Sequence, residues 1–266
     1  MKSAQIFAAF SLSLALVVPS FASTQLVTET HLVRINLYGQ EILDRDGKPT
    51  KDSPGVHRFL EYFRREALID FRLQRLPWRR AQAMALSAQG MIWEFSKNRD
   101  RMREYHYSEP VLHSKIWAIA YGEPPQRLDS ADDLKGKTVA VERGVSHGMV
   151  FDEMRKTHFT VDEDTASAAA RFRKLIAKRS DVLLWGIVQF DRRDDLLNYL
   201  HKVYLPSLHD SSLDGKKFYV SSKPLFLDSI HFAAKKGNYE SEMLRLDAAI
   251  RRGLASGELT KILRDM

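Results

Sequence analysis

The 266-residue chain contains no cysteine. Disulfide bridges, thiol catalysis and lipid attachment through an N-terminal cysteine are therefore excluded. Long apolar runs are also scarce. After Val18 no stretch is apolar for long enough to cross a bilayer. The nine histidines show neither HExxH nor any other tight metal-ligand spacing, and there is no Walker loop or Rossmann fingerprint. No internal repeat or low-complexity tract breaks the chain. Stability must come from packing alone, and the sequence calls for no cofactor and no metal.

What is present begins with a compartment signal. Lys2 gives a positive start, Ile6 to Val18 is apolar, Pro19 interrupts the run, and Ser20-Phe21-Ala22 places small residues where a signal peptidase reads. Residues 1–22 thus read as a secretory leader and the remainder as a periplasmic protein, with an uncleaved N-terminal anchor as the competing reading. The net charge is +7, from 41 Lys and Arg against 34 Asp and Glu. These charges are dispersed along helical stretches, without the single block that nucleic acid would favour. An exported protein of this balance points to an anionic small ligand or an anionic membrane surface, and not to nucleic acid.

Strand and helix signals alternate along the whole length, which predicts an α/β architecture. Residues 31–38 and 69–76 alternate apolar and polar side chains as strands do. Between them Ser53-Pro54 forms a helix start, with Ser as cap and Pro in the first turn. Helices are expected over 78–88, 166–178, 187–200, 240–254 and 258–263, with a short one at 129–134, and Gly144 begins a turn that leads into another through Met154. Strands are expected at 91–95, 111–120, 138–142, 181–185, 218–221 and 230–234.

The most specific block lies between Leu76 and Gly148. It runs LPWRRAQAM, then Gly90, then SKNRDRMREYHYSEP, then DDLKGKTVAVERGVSHG. At these residues the chain resembles the periplasmic solute-binding proteins of family 3, which serve polar amino-acid ABC transporters. Arg101 is followed six residues later by Tyr107-Ser108 and then by Pro110. The Leu-Lys-Gly-Lys strand leading into Gly and hydroxyl residues is matched by Leu134 to Ser146.

The resemblance implies two α/β lobes of the type-II periplasmic binding fold, each a mixed sheet flanked by helices, joined by two crossover strands. Residues 23–113 and 230–266 would form the first lobe and residues 114–229 the second. The crossings would fall near His113–Ser114 and Leu227–Ile230. It further implies that Arg101 forks onto a ligand carboxylate, since a guanidinium presents parallel N–H donors to two oxygens. Ser146 would grip the same group from the other lobe, or serve simply as a helix cap. Ser96, five residues before Arg101, is a further candidate contact. Tyr38 and Trp185 are candidate aromatic walls, whereas Trp78 and Trp93 are better read as core.

Three positions depart from the family pattern. Members that bind amino acids carry an Asp five residues after the Asp that starts the strand at 181, and here that position is Gly186. Asn98 replaces a Thr three residues before Arg101. Glu94 stands where small residues are common, and is the acid available to replace the missing one. The implied function is capture of a small polar, carboxylate-bearing ligand by a monomer, for an ABC permease or a membrane sensor. The rival is an enzyme on the same scaffold. Glu94 or His147 would act as acid or base, and Gly144-Val-Ser-His-Gly148 has the outline of a nucleophile elbow.

Overall fold

A computed structural model describes residues 31–43, 48–122, 127–164 and 168–266. The expected leader over 1–22 and the polar stretch at 23–30 lie outside the described residues. The chain opens with β1 (Val33–Gln40), α1 (Pro54–Glu66), β2 (Ile69–Leu76), α2 (Trp78–Leu86) and β3 (Met91–Ser96). A short α3 (Arg101–Glu104) leads into β4 (Tyr105–Tyr107) and the long β5 (Leu112–Tyr121). A 3-10 turn at Ala131–Leu134 precedes β6 (Thr138–Glu142), α4 (Met149–Met154), β7 (Thr160–Asp164), α5 (Ala168–Ile176) and β8 (Val182–Ile187). Then come α6 (Arg193–Tyr199), a π turn at Leu200–Tyr204, α7 (Leu205–Ser207), a 3-10 turn at Ser211–Leu213 and β9 (Phe218–Val220). The chain closes with β10 (Phe226–Lys235), α8 (Glu240–Ser256) and α9 (Glu258–Arg264).

Local chemistry explains the first of these elements. Ser53 caps α1 by accepting a hydrogen bond from the Val56 amide at 3.3 Å, and Pro54 fills the first turn, where no amide proton is needed. Val56, Phe59, Tyr62 and Phe63 form one buried stripe along the helix. The βαβ connection brings β1 parallel to β2 in full register, from Val33 opposite Ile69 to Gln40 opposite Leu76.

All the strands belong to one mixed sheet, ordered β2-β1-β3-β10-β5-β8-β6-β7, with β4 added to β10 and β9 to β5. Its two halves carry separate cores. In one, Ile35, Leu37, Trp93 and Phe232 meet Phe59 and Phe63 of α1 and Leu246 of α8. On the opposite face, Ala81 and Ala85 of α2 cover Tyr38, Ile92 and Phe95. In the other half, Trp117, Leu183 and Phe218 pack with Phe172 of α5 and Leu196 of α6, while Val139, Val141 and Leu184 pack with Phe151 of α4 across the strands. Among the described strands, only β5 and β10 run between the halves. They pair antiparallel, with Ser114 opposite Asp228 and His113 opposite Ser229.

Three expectations require correction. The helix expected over 187–200 begins only at Arg193, because Gly186 and Ile187 extend β8 against Ile116 and Lys115 of β5. Helical structure then continues past 200 through the π turn. Leu196 and Leu200 are four residues apart and Leu205 is five further on, so one wide turn keeps all three on the buried face. β10 begins four residues before its apolar pattern does, since Phe226 pairs with Ile116. β4 and β7 had no clear periodic signal, and each exists through pairing with a neighbour already in the sheet.

Gly90 shows how tightly the first half is built. A Cβ there would stand 2.3 Å from the Asn36 carbonyl oxygen of β1. Gly90→Ala is expected to destabilise the protein by about 1–3 kcal/mol by forcing two backbones apart. Urea unfolding at unchanged m-value would measure it.

Candidate functional site

Where the two halves meet, the walls enclose a cavity of about 300 Å³ lined by Ser96, Arg101, Ser114, Ser146, His147, Gly186 and Asp228, among others. Gln40, Glu94, Glu142 and Trp185 are shared between this cavity and a wider groove of about 1450 Å³.

A bulge in β3 sets the first wall. Phe95 pairs with His231 and Ile92 with Ala233, so three steps on β3 oppose two on β10. Glu94 absorbs the extra residue with φ of +63°, a left-handed conformation that costs a non-glycine residue about 1–2 kcal/mol. The alternation of faces breaks there. Phe95 joins Ile92 under α2 instead of following Trp93 into the opposite core, while Glu94 and Ser96 line the cavity.

Arg101 lies at the start of α3 with its guanidinium centre 4.2 Å from the Phe95 ring centroid. It donates to the Ser96 carbonyl at 3.0 Å and to the Gly144 carbonyl at 2.9 Å. Asn98, the residue in place of the family's Thr, accepts a hydrogen bond from the Arg101 amide at 2.8 Å and donates to Asp152 Oδ2 at 2.8 Å. The guanidinium is thus fixed in orientation and linked to both halves, and burial lowers its pKa.

Ser146 donates its hydroxyl to Asp152 Oδ2 at 2.6 Å and accepts from the Gly148 amide at 3.2 Å. It stands before α4, whose N-cap is Gly148. The nucleophile-elbow pattern therefore has a carboxylate on its serine and no imidazole. His147 is only 8% exposed, and its Nε2 has no partner among the described residues. Burial drives its pKa down to about 4, so the ring is neutral at pH 7.

Asp228 was not singled out by the sequence, yet it occupies the centre of the site. It is 4% exposed and lines the cavity from the strand that joins the halves. Burial pushes its pKa up to about 7, against the opposing pull of Ser96 and Arg101. The Ser96 hydroxyl lies 2.5 Å from Asp228 Oδ2 and 3.1 Å from the Ser146 carbonyl. That hydroxyl has one proton. With Asp228 protonated, the carboxyl donates to Ser96 and Ser96 donates to Ser146 in the other half. With Asp228 ionised, Ser96 turns its proton to the carboxylate and the link to Ser146 is lost. The signal that could have revealed this residue is an acid in FLDSIHFAA, a segment that otherwise reads as buried strand.

The remaining candidates divide. Glu94 accepts from Arg75 Nη1 at 3.2 Å, and Arg75 also binds Asp52 at 2.9 Å, so this acid already has a basic partner. Trp185 lines the cavity, but its ring lies 4.4 Å from that of Tyr204 and belongs partly to the core beside α5 and α6. Tyr38 is a correction. At 1% exposure it sits beneath α2, donates to the Gln89 carbonyl at 3.0 Å and does not reach the cavity. The parallel β1–β3 pairing, with Tyr38 opposite Ile92, turns its ring into the core. Trp78, read as core from the sequence, is buried in that same cluster, yet its indole edge lines the cavity and donates to the Gly144 carbonyl at 3.1 Å. Glu142 and Arg171, 3.8 Å apart, are wall residues that motif spacing did not flag, and Gln40 bonds to Glu142 across the site. Among the described residues, no group of His, Asp and Glu is arranged to hold a metal ion, and no helix is long and apolar enough to cross a membrane.

No protein-family model and no curated protein matches the chain. Solved structures do match over most of its length. The substrate-binding protein of an amino acid ABC transporter superimposes with a TM-score of 0.60 at 16% identity, covering 86% of this chain and 97% of that one. The chain has the two-lobed fold of the type-II periplasmic binding proteins. The amino acid ABC transporter substrate-binding protein AbpA from Streptococcus pneumoniae, bound to L-arginine, matches with a TM-score of 0.61 at 16% identity over 87% and 93% of the two chains. The GluR0 ligand-binding core from Nostoc punctiforme, in complex with L-glutamate, gives 0.60 at 14% identity over 86% and 96%. Many of the structures that this binding-protein fold matches are amino-acid ABC transporter substrate-binding proteins of the family 3 type.

Proposed function

We propose that the protein is an exported solute-binding protein that captures a small polar, carboxylate-bearing ligand in the cavity between its lobes and does not transform it. On this reading the described residues within 31–113 and 230–266 make up one lobe and those within 114–229 the other, and the β5–β10 pair is the hinge about which they open and close. The observation that carries this reading is Arg101. Its guanidinium lines the cavity over the Phe95 ring, with two of its five N–H donors on carbonyls. A ligand carboxylate entering there meets a cation that is already desolvated and oriented, so little reorganisation opposes binding. The cavity volume of about 300 Å³ suits a molecule of amino-acid size.

The pairing of Ser146 with Asp152, and not with an imidazole, favours binding over conversion. Delivery of the ligand to an ABC permease in the periplasm accords with the ABC-transporter proteins that share the fold. Thermal-shift screening against amino and organic acids, followed by calorimetry on the best hit, tests the reading. Arg101→Ala is expected to weaken that hit by about 10- to 150-fold, the equivalent of one charge-assisted contact of about 1.5–3 kcal/mol. Unchanged affinity would reject the anchor, and recovery of a chemically altered ligand would reject simple binding.

A further inference from the structure

The cavity contains one carboxylate whose charge no neighbouring ion pair neutralises. Glu94 is paired with Arg75, and Glu142 faces Arg171. Asp228 is different. Its contacts are the Ser96 hydroxyl and the Ser229 amide. Arg101 acts on it through space but makes its hydrogen bonds to the Ser96 and Gly144 carbonyls, and forms no ion pair with Asp228 among the described residues.

Two glycines let the backbone come close to this carboxylate and to its neighbour across the ladder, where no side chain would fit. A Cβ at Gly148, where φ is +91°, would stand 3.1 Å from Asp228 Oδ1. A Cβ at Gly186 would stand 2.9 Å from the hydroxyl of Ser114, the residue opposite Asp228 in the β5–β10 ladder. Gly186 is also the position at which the sequence lacks an expected acid. Building on the reading that Arg101 holds a ligand carboxylate, we propose that the same ligand carries a basic nitrogen seated on Asp228, so that the acid missing at the end of β8 is supplied by the crossover strand β10.

The physical case rests on desolvation. A buried carboxylate without a counter-ion is unfavourable when ionised, and a protonated amine placed against it removes that penalty while satisfying its own N–H groups. Arg101 and Asp228 then present opposite charges to one small cavity, which selects a zwitterion over a simple anion. Such a ligand binds the ionised carboxylate, so its affinity rises as pH rises through about 7, where Asp228 titrates. The other ionisable groups around it are Arg101 on α3, Tyr107 on β4, His113 on β5, His147 before α4 and Asp152 on α4. Tyr107 is pushed above its usual range and His147 to about 4, so neither changes charge between pH 6 and 8.

The experiment compares matched pairs by calorimetry on the mature protein: L-glutamate with glutarate, L-aspartate with succinate, L-leucine with 4-methylpentanoate, and L-arginine with 5-guanidinopentanoate. For the best-binding pair, the α-amine is expected to tighten binding at least 10-fold at pH 8, and this advantage should shrink several-fold at pH 6. Asp228→Asn should abolish the advantage, read within the variant as the ratio of the two partners' affinities. Equal binding of the two partners overturns the inference, as does an advantage that survives in Asp228→Asn. Should that variant fold poorly, the pH series on the unaltered protein decides alone, and an advantage that does not fall from pH 8 to pH 6 overturns the inference. Binding of either partner that is insensitive to Arg101→Ala refutes the anchor and not the amine seat, whereas silence across all four pairs refutes both.

Discussion

Phe232→Ala is expected to lower the unfolding free energy by about 3–5 kcal/mol, the range for truncating a large aromatic in a packed core. Phe232 is fully buried, and its ring lies 5.0 Å from Phe63, 5.4 Å from Phe71, 5.9 Å from Phe59 and 5.0 Å from Trp93. One substitution thus removes the centre of an aromatic cluster that joins α1 to three strands. Its backbone amide is held by the Ser108 hydroxyl at 3.0 Å, which limits how far the strand can settle into the space left behind. At about 2–4 °C per kcal/mol for a domain of this size, the melting temperature should fall by roughly 10 °C. Calorimetry would show it, and a fall of only one or two degrees would mean that the cluster relaxes more freely than its packing indicates.

Asp228→Asn should act in the opposite direction in the ligand-free protein. The carboxyl pKa is about 7 in the folded chain against an ordinary value of 3.8. Between these limits the folded form binds more protons than the unfolded form, so the stability this group contributes is fully present below about pH 4 and is lost as pH rises through 7. An amide has no such dependence. The variant should match the parent near pH 4 and exceed it by about 4 kcal/mol at pH 8, the equivalent of a shift of this size. Melting curves of the two proteins across that range test it. A deficit of the variant that grows as pH rises would mean that the native carboxylate is stabilised in its charged form. The expected pattern is the one found where a binding site is built at the expense of stability.

The fold was largely legible in the sequence because most of its elements announce themselves locally. Ser53-Pro54 starts a helix, and residues 69–76 alternate throughout β2. The block around Arg101 led to a two-lobed fold that the superpositions show. Elements that depend on distant partners were harder to read. β4 is three residues long and exists because β10 offers it an edge, and the π turn at Leu200–Tyr204 follows the spacing of buried leucines.

The site shows the same division. Arg101, Ser96, Ser146, Glu94 and Trp185 all line the cavity, whereas Tyr38 turned inward. Asp228 went unnoticed because a lone acid in an otherwise apolar strand does not disclose its distant partners. Its importance comes from Ser96, 132 residues away in sequence.

By itself, the sequence determined the α/β alternation and the absence of thiol chemistry, because these follow from composition and short-range periodicity, while the anion role of Arg101 was implied by resemblance to a family. Tertiary structure decided which charges are desolvated, which are already paired and which remain for a ligand. Those properties depend on the dielectric surroundings and partners that distant segments supply, and β10 acquires them only on pairing with β5.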